Sequence, residues 1–337
     1  MKNLYFDLQL FAEVQVQTSV LDGLSVEMKT FYDMTLIDEA SPALVHEQFG
    51  QKRPIPKNGG KTIEFRKFSP LAKATTPLTE GVTPDGKSLN VTNLTATVSQ
   101  YGDYITQSDV LELTSIDNTI LEATKLLGKQ AGATLDTIVR DVLVAGTNVS
   151  YASKWVDGAE VEVTSRANLD KTATLKVDTI QQAVAKLRAQ NAPTIGGKYV
   201  AIIHPYVAYD LMRDPEWIDA HKYANPTNLY EGEIGEIGGV RFVQTTEAKV
   251  WKDSTCPSGL AVFGCLFLGE GAYGVTEITG GGLQTIVKQK GSAGTADPLD
   301  QRSSVGWKAI KTAERLVENY MVRVECCSKY SDAANAN

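Results

Sequence analysis

Cysteine and histidine are scarce in these 337 residues: four of the first, three of the second. Cys256, Cys265, Cys326 and Cys327 form no C-x-x-C pair, and His46, His204 and His221 lie far from them in sequence. That argues against a metal site and a disulfide framework, and predicts buried, reduced thiols. An excess of basic charge is missing too. With 33 Lys and Arg against 40 Asp and Glu, the net charge is −7, so gripping nucleic acid is not expected to be the main task. No run of 18 apolar residues occurs, so no transmembrane helix is expected. In the opening MKNLYFDLQLFAEVQVQ, Asp7 and Gln9 interrupt the apolar run and no small-residue cleavage site follows. It reads as no signal peptide, and the chain is expected to be made and kept in a cytosol-like compartment.

The familiar catalytic signatures are also lacking. There is no G-x-S-x-G elbow, and His46-Glu47 is not followed by the second histidine of H-E-x-x-H. GEGAYG, residues 269–274, does fit G-x-G-x-x-G after the apolar run LAVFGCLFL. A dinucleotide site needs those glycines to open a helix, with an acidic residue about 20 positions later. Here β-branched residues and three more glycines follow, and position 294 is Gly, so the stretch reads as hairpin turns. GSAGTADPLDQR (291–302) lacks the G-K-[ST] of a phosphate loop and reads as a long connection, with Asp297 and Asp300 as loop-capping groups. His204, at the end of an apolar strand before Pro205, is expected to be structural. No catalytic residue, cofactor or metal is expected.

What is present is ordinary globular material, 42% hydrophobic and 22% charged, enough to bury a sizeable core. Its arrangement is less ordinary. Leu4, Phe6, Leu8 and Leu10 alternate in a segment too short to make a core, and Leu24, Met28, Phe31 and Tyr32 predict a helix over 24–40. Residues 51–90 carry five prolines and alternate in TIEFRKF; they predict two strands joined by a long polar flap. Strand-like VTNLTATVSQYGDYI (91–105) places Leu94, Ala96 and Val98 on one face. A helix of about 30 residues follows, some 45 Å long. Asp109 or Ser115 is expected at its start, Ile120, Leu127, Ala131, Leu135, Ile138 and Val142 form its stripe, and Gly146 and Asn148 end it. Gly128 and Gly132 permit close backbone approach. Helix 176–190, strand 199–205, helix 206–214 and strands at 238–245 and 260–268 describe a small α/β lobe. The last ten residues are small and polar and are expected to fray. Arm and flap lack a private core, as in a subunit completed by its neighbours.

Three blocks carry a resemblance: PLTEGVTPDGKSLNVTNLTATVSQYGDYITQSDVLELT, LEATKLLGKQAGATLDTIVRDVLVAGTN and GSAGTADPLDQRSSVGWKA. In that order they resemble the major capsid proteins of N4-like tailed bacteriophages, over about residues 75–325. The resemblance implies an α+β, Hong Kong 97-type capsid fold. Residues 1–50 would be the N-terminal arm, 51–105 the extended loop with its supporting strands, and 106–175 the peripheral domain with the spine helix. Residues 176–300 would be the axial domain, and 301–337 the return to the peripheral domain and the tail. It implies hexamers and pentamers of itself in an icosahedral shell around double-stranded DNA, assembled in the host bacterial cytoplasm. Portal protein, and separate scaffolding or decoration proteins, would be partners; contact with DNA would be non-specific, and no membrane would be involved. Candidate intersubunit contacts are Leu4, Phe6 and Phe11 on the arm and Arg66, Lys67 and Lys73 on the flap. The competing expectations are an encapsulin-like cellular compartment and, from another class, an α/β nucleotide-binding enzyme.

Overall fold

The computed structural model describes residues 34–40, 44–68, 71–78, 80–83, 85–115, 119–222, 235–292 and 297–337. A helix over 34–40 (α1) comes first. Strands Gln51–Lys52 (β1), Thr62–Phe68 (β2), Val91–Thr97 (β3) and Ser99–Ser108 (β4) precede the short helix Asp109–Thr114 (α2) and the long helix Thr119–Val144 (α3). Short strands Val149–Tyr151 (β5), Lys154–Val156 (β6) and Ala159–Val161 (β7) lead to helix Val177–Ala189 (α4), strand Tyr199–Ile203 (β8), and helices Pro205–Met212 (α5) and Pro215–Lys222 (α6). Strands Glu236–Ile237 (β9), Val240–Gln244 (β10), Val250–Trp251 (β11), Val262–Leu268 (β12), Tyr273–Glu277 (β13), Gln284–Lys288 (β14), Arg302–Arg315 (β15) and Met321–Cys326 (β16) complete the chain. Two compact units result. Of the described residues, the smaller holds those within 34–39, 102–129 and 283–308; the larger holds those within 40–101, 130–282 and 309–337.

In the larger unit a seven-stranded sheet runs β5-β16-β12-β8-β10-β9, with β11 on β12. YVAII and VFGCLFL are buried at every position, so this sheet is covered on both faces. Alternation assigns the faces. Ala201, Ile203, Cys265 and Phe267 join a core with Ile180, Leu187 and Leu211 of α4 and α5. Val200, Ile202, Leu266 and Leu268 join the opposite core with Val139 and Leu143 of α3 and with Tyr273. A second sheet contributes β1, β13 and the end of β15, in register from Tyr273↔Arg315 to Glu277↔Lys311. In the smaller unit β14 pairs with the start of β15, from Gln284↔Lys308 to Lys288↔Ser304.

The stripe of α3 follows the expected one through Leu127, Ala131 and Leu135, then moves by one residue. Val139 and Leu143 are buried where Ile138 and Val142 were expected; the latter two are half-buried. The buried stripe also holds Asp136 and Arg140, which a hydrophobicity pattern cannot select. Neither expected cap starts this helix. Ser108 caps α2 instead, its Oγ accepting from the Leu111 amide at 3.3 Å, and Asp109 sits within the first turn of α2.

Gly128 and Gly132 do provide close approach. A Cβ on Gly128 would lie 2.8 Å from the Leu36 carbonyl oxygen, and one on Gly132 would lie 2.5 Å from that of Ala40. Leu36 and Ala40 of α1 are buried. Alanine in place of glycine favours a helix by about 1 kcal/mol. Overpacking against a backbone atom, which cannot rotate aside, costs about 1–3 kcal/mol. Gly132→Ala is therefore expected to destabilise the unassembled subunit by about 1 kcal/mol net, read as a lower urea midpoint. A stabilised variant would show that α1 does not need this contact.

A buried polar knot fastens the end of α3. The Arg166 guanidinium donates twice to Glu325, at 2.7 Å each, and Arg323 donates to the same carboxylate at 2.9 Å. Arg323 also donates to the Gly146 carbonyl at 3.0 Å and to that of Val144, carbonyls that the helix leaves open. Trp251 lies beneath both, with guanidinium carbons 4.0 Å (Arg166) and 5.5 Å (Arg323) from the ring centre.

The expectation of a frayed tail is overturned. Asn337 accepts from the Val250 amide at 3.0 Å and donates to the Ala248 carbonyl at 2.9 Å, while Lys252 donates to the carbonyls of Asp332 and Ala334. Ser331 and Ala334 are buried. Backbone pairing and small side chains seat the tail, features that polarity alone conceals. All four cysteines are free and buried, and burial pushes the Cys327 thiol up to about 12.

Candidate intersubunit surface

The flap is built on a two-stranded ribbon. β2 and β3 pair antiparallel in unbroken register from Thr62↔Thr97 to Phe68↔Val91, and neither has another ladder partner among the described residues. Phe65, the apolar centre of TIEFRKF, is buried where Gly274 leaves room; a Cβ there would lie 2.8 Å from its ring. Beyond the ribbon, Leu71, Leu78, Val82 and Leu89 are each more than half exposed. Lys87 donates to the Ala72 carbonyl at 3.2 Å and ties the two limbs together. Such exposed leucine and valine on a segment without a core make it a candidate contact surface.

Beside the ribbon lies a groove of about 150 Å³. Phe65, Leu94, Leu316 and Val317 give it an apolar lining, and Arg53, Arg66 and Lys67 are exposed at its rim. The Arg53 guanidinium lies 5.8 Å from the Phe65 ring centre. Arg66 and Lys67, two of the expected contact residues, thus stand together. Lys73 is exposed farther along the flap, outside this groove, while Leu4, Phe6 and Phe11 lie outside the described residues.

The chain entering the flap is fastened by a cluster the sequence reading did not find. The His46 amide donates to Asp136 at 2.8 Å and its Nδ1 lies 2.6 Å from the other carboxylate oxygen, both residues fully buried. Tyr273 donates its hydroxyl to the His46 carbonyl, and burial pushes that phenol well above the usual range, keeping it a donor. Glu47 pairs with Lys311 and with Lys52. Burial opposes ionisation of Glu47, yet the two lysines outweigh it and hold the carboxyl below its ordinary value. The segment expected to stay uncovered is therefore partly packed on its own subunit: Leu36, Ala40, Val45 and His46 are buried. The sequence carried no signal for it, because position 136 lies off the stripe that hydrophobicity predicts for α3.

The other singled-out motifs take structural places. GEGAYG turns β12 into β13 with Gly271 at φ +71°, but those strands lie in different sheets, so the turn is not a hairpin. No helix follows it, and the dinucleotide expectation finds no support in the fold. His204 caps α5, its Nδ1 accepting from the Tyr206 amide at 3.1 Å; burial lowers its pKa and keeps it neutral for that role. Asp297 accepts from the Arg302 amide at 2.8 Å, as a loop cap does. Among the described residues no group of three or more His, Cys, Asp or Glu is placed to hold a metal ion, and no helix is long and apolar enough to cross a membrane.

With this arrangement in view, comparison with known proteins is decisive. The model of a family described as phage capsid protein matches residues 69–313. The chain belongs to that family. No curated protein matches it in sequence. Solved capsid structures share its fold. The capsid of Ralstonia phage GP4 aligns with a TM-score of 0.63 at 15% identity, over 85% of this chain and 88% of that one. The cyanophage Pam1 capsid gives 0.63 at 13%, over 86% and 92%. The capsid of cyanophage P-SCSP1u gives 0.63 at 12%, over 83% and 87%. This phage capsid protein thus has the mixed α and β, Hong Kong 97-type architecture, and its role is structural.

Proposed function

We propose that the chain is the subunit of a self-assembling icosahedral shell, arranged in rings of five and six, that encloses phage double-stranded DNA. The observation that carries this is the exposure of Leu71, Leu78, Val82 and Leu89 on a flap whose ribbon pairs with no further strand among the described residues, in a member of a capsid family. In this reading the flap lies across an adjacent copy, and head-to-tail contacts close the rings. Residues 1–50 act as arm, 51–105 as extended loop with its strands, 106–175 as peripheral domain, 176–300 as axial domain and 301–337 as the return. Each contact is modest, and many together hold the shell. The net charge of −7 suits a container that must not bind its DNA tightly. The three sequence blocks favour the N4-like phages within the family. Portal and separate scaffolding proteins are the partners this role calls for, the virion its place, and the host bacterial cytoplasm its site of assembly; no catalytic step is assigned to the chain.

Negative-stain microscopy of the purified full chain, alone and with a co-expressed scaffold, tests this. Closed, uniform particles are expected. A chain that stays monomeric under both conditions at high concentration would sink the shell reading.

A further inference from the structure

Three tyrosine rings meet where the tail crosses α5. Tyr206 and Tyr209 lie three residues apart and so share one face of that helix. Tyr330 of the tail stands against both, its ring centre 4.9 Å from that of Tyr206 and 5.4 Å from that of Tyr209. Two hydrogen bonds from the residues just before it fix this approach. The Ser328 hydroxyl donates to the Tyr206 carbonyl at 3.3 Å, and the Lys329 amide donates to the Asp210 carboxylate at 2.9 Å. Tyr330 and Tyr206 each keep more than a third of their surface exposed. The hydroxyls are engaged as well. Arg213 donates to the Tyr209 hydroxyl at 3.0 Å, its guanidinium carbon 5.6 Å from the ring centre, and the Tyr330 hydroxyl bonds the same oxygen from the tail. The hydrogen bond and charge of Arg213 hold the Tyr209 phenol below its ordinary pKa, while desolvation and the neighbouring Tyr209 push Tyr330 above its own. A phenolate gives up an electron more readily than a phenol, so oxidation starts more easily at Tyr209.

We propose that Tyr209 and Tyr330 form an oxidative cross-linking site, joined as a dityrosine that fastens the tail covalently to α5. The oxidant is a one-electron acceptor of the haem-peroxidase class, supplied with hydrogen peroxide. Each phenol gives up one electron and its hydroxyl proton. The two radicals couple through ring carbons beside the hydroxyls, and the hydrogens on those carbons move to the oxygens. The two electrons and two protons released reduce one peroxide to two waters. The geometry favours this pair. In the ortho-linked product the two hydroxyls lie side by side, as these already do, and rings held in contact need no diffusional search. The bond closes the loop from 209 to 330, and a link across a long loop stabilises by restricting the unfolded chain. Every group involved belongs to one subunit, so the proposal is independent of the shell reading.

The test treats the full-length protein with a haem peroxidase and limiting hydrogen peroxide, followed by trypsin and mass spectrometry. The peptide ending at Arg213 is expected joined to the one beginning at Tyr330, lighter than their sum by two hydrogen atoms, in chains that stay monomeric on a denaturing gel. Fragmentation should place the bond on Tyr209. Tyr330→Phe is expected to abolish this product and Tyr209→Phe to cut it by roughly tenfold, while Tyr206→Phe keeps most of it. Phenylalanine retains the ring packing, so untreated Tyr330→Phe should match the wild-type urea midpoint. After oxidation the wild-type midpoint should rise and that of Tyr330→Phe should not. A product that Tyr209→Phe leaves undiminished would place the coupling elsewhere and overturn the proposal, as would links found only between chains, or no link at all.

Discussion

Glu325→Ala is expected to destabilise the unassembled subunit by about 3 kcal/mol, since removing one partner of a buried ion pair costs about 3–5 kcal/mol and both arginines here keep some solvent access. Glu325 is fully buried, and the side chains of Arg166 and Arg323 are only 17% and 13% exposed. Three short hydrogen bonds end on this one carboxylate. Without it, two neighbouring cations over Trp251 have lost their shared counter-charge, and Arg323 loses the partner that holds it against the end of α3. Partial hydration of the arginines offsets part of the loss, which places the value at the low end. Glu325→Gln keeps an acceptor but loses the charge, so it should fall between wild type and alanine. Urea denaturation read by tryptophan fluorescence, with Trp251 inside the knot, measures both. An alanine variant as stable as wild type would mean that the arginines find other partners.

Asp136→Ala is expected to cost about 3 kcal/mol as well, through a different segment. Each hydrogen bond to a charged group contributes about 1.5–3 kcal/mol, and the His46 amide and ring nitrogen would both be left unmatched in a dry site. Among the described residues His46 has no substitute: its Nε2 is already buried without a partner there. Tyr273 and the Glu47–Lys311 pair remain, so residues 44–50 should loosen rather than the whole subunit unfold. Limited proteolysis within 44–50 should therefore accelerate more than global stability falls. Asp136→Asn, retaining one acceptor oxygen, should lose roughly half as much. Equal proteolysis rates for wild type and alanine would show that the aspartate does not fasten this segment.

Much of the chain's architecture was legible because period and composition act locally. LAVFGCLFL and YVAIIHP announced buried strands by their apolar runs, and both lie at the centre of the seven-stranded sheet. The glycines at 128 and 132 announced a close approach, though not that α1 would fill it. Pro205 marked the start of α5, and the β2–β3 ribbon followed from the alternation of TIEFRKF and VTNLTAT. The candidate surface was half visible: Arg66 and Lys67 could be named, but not Arg53, Leu316 and Val317, which complete the groove from other parts of the chain. Where the reading failed, polar residues were the cause. The tail was taken as frayed because its side chains are small and polar, yet Asn337 and Ser331 are seated by bonds to residues far away in sequence.

The linear order of residues determined the α+β class, the long helix and the coreless flap, because periodicity and turn chemistry are properties of neighbours along the chain. Only the tertiary structure decided which polar groups are buried and with whom: Asp136 with His46, Glu325 with two arginines, Lys311 with Glu47. Those choices depend on desolvation, and a side chain loses its water only when distant parts of the chain close over it.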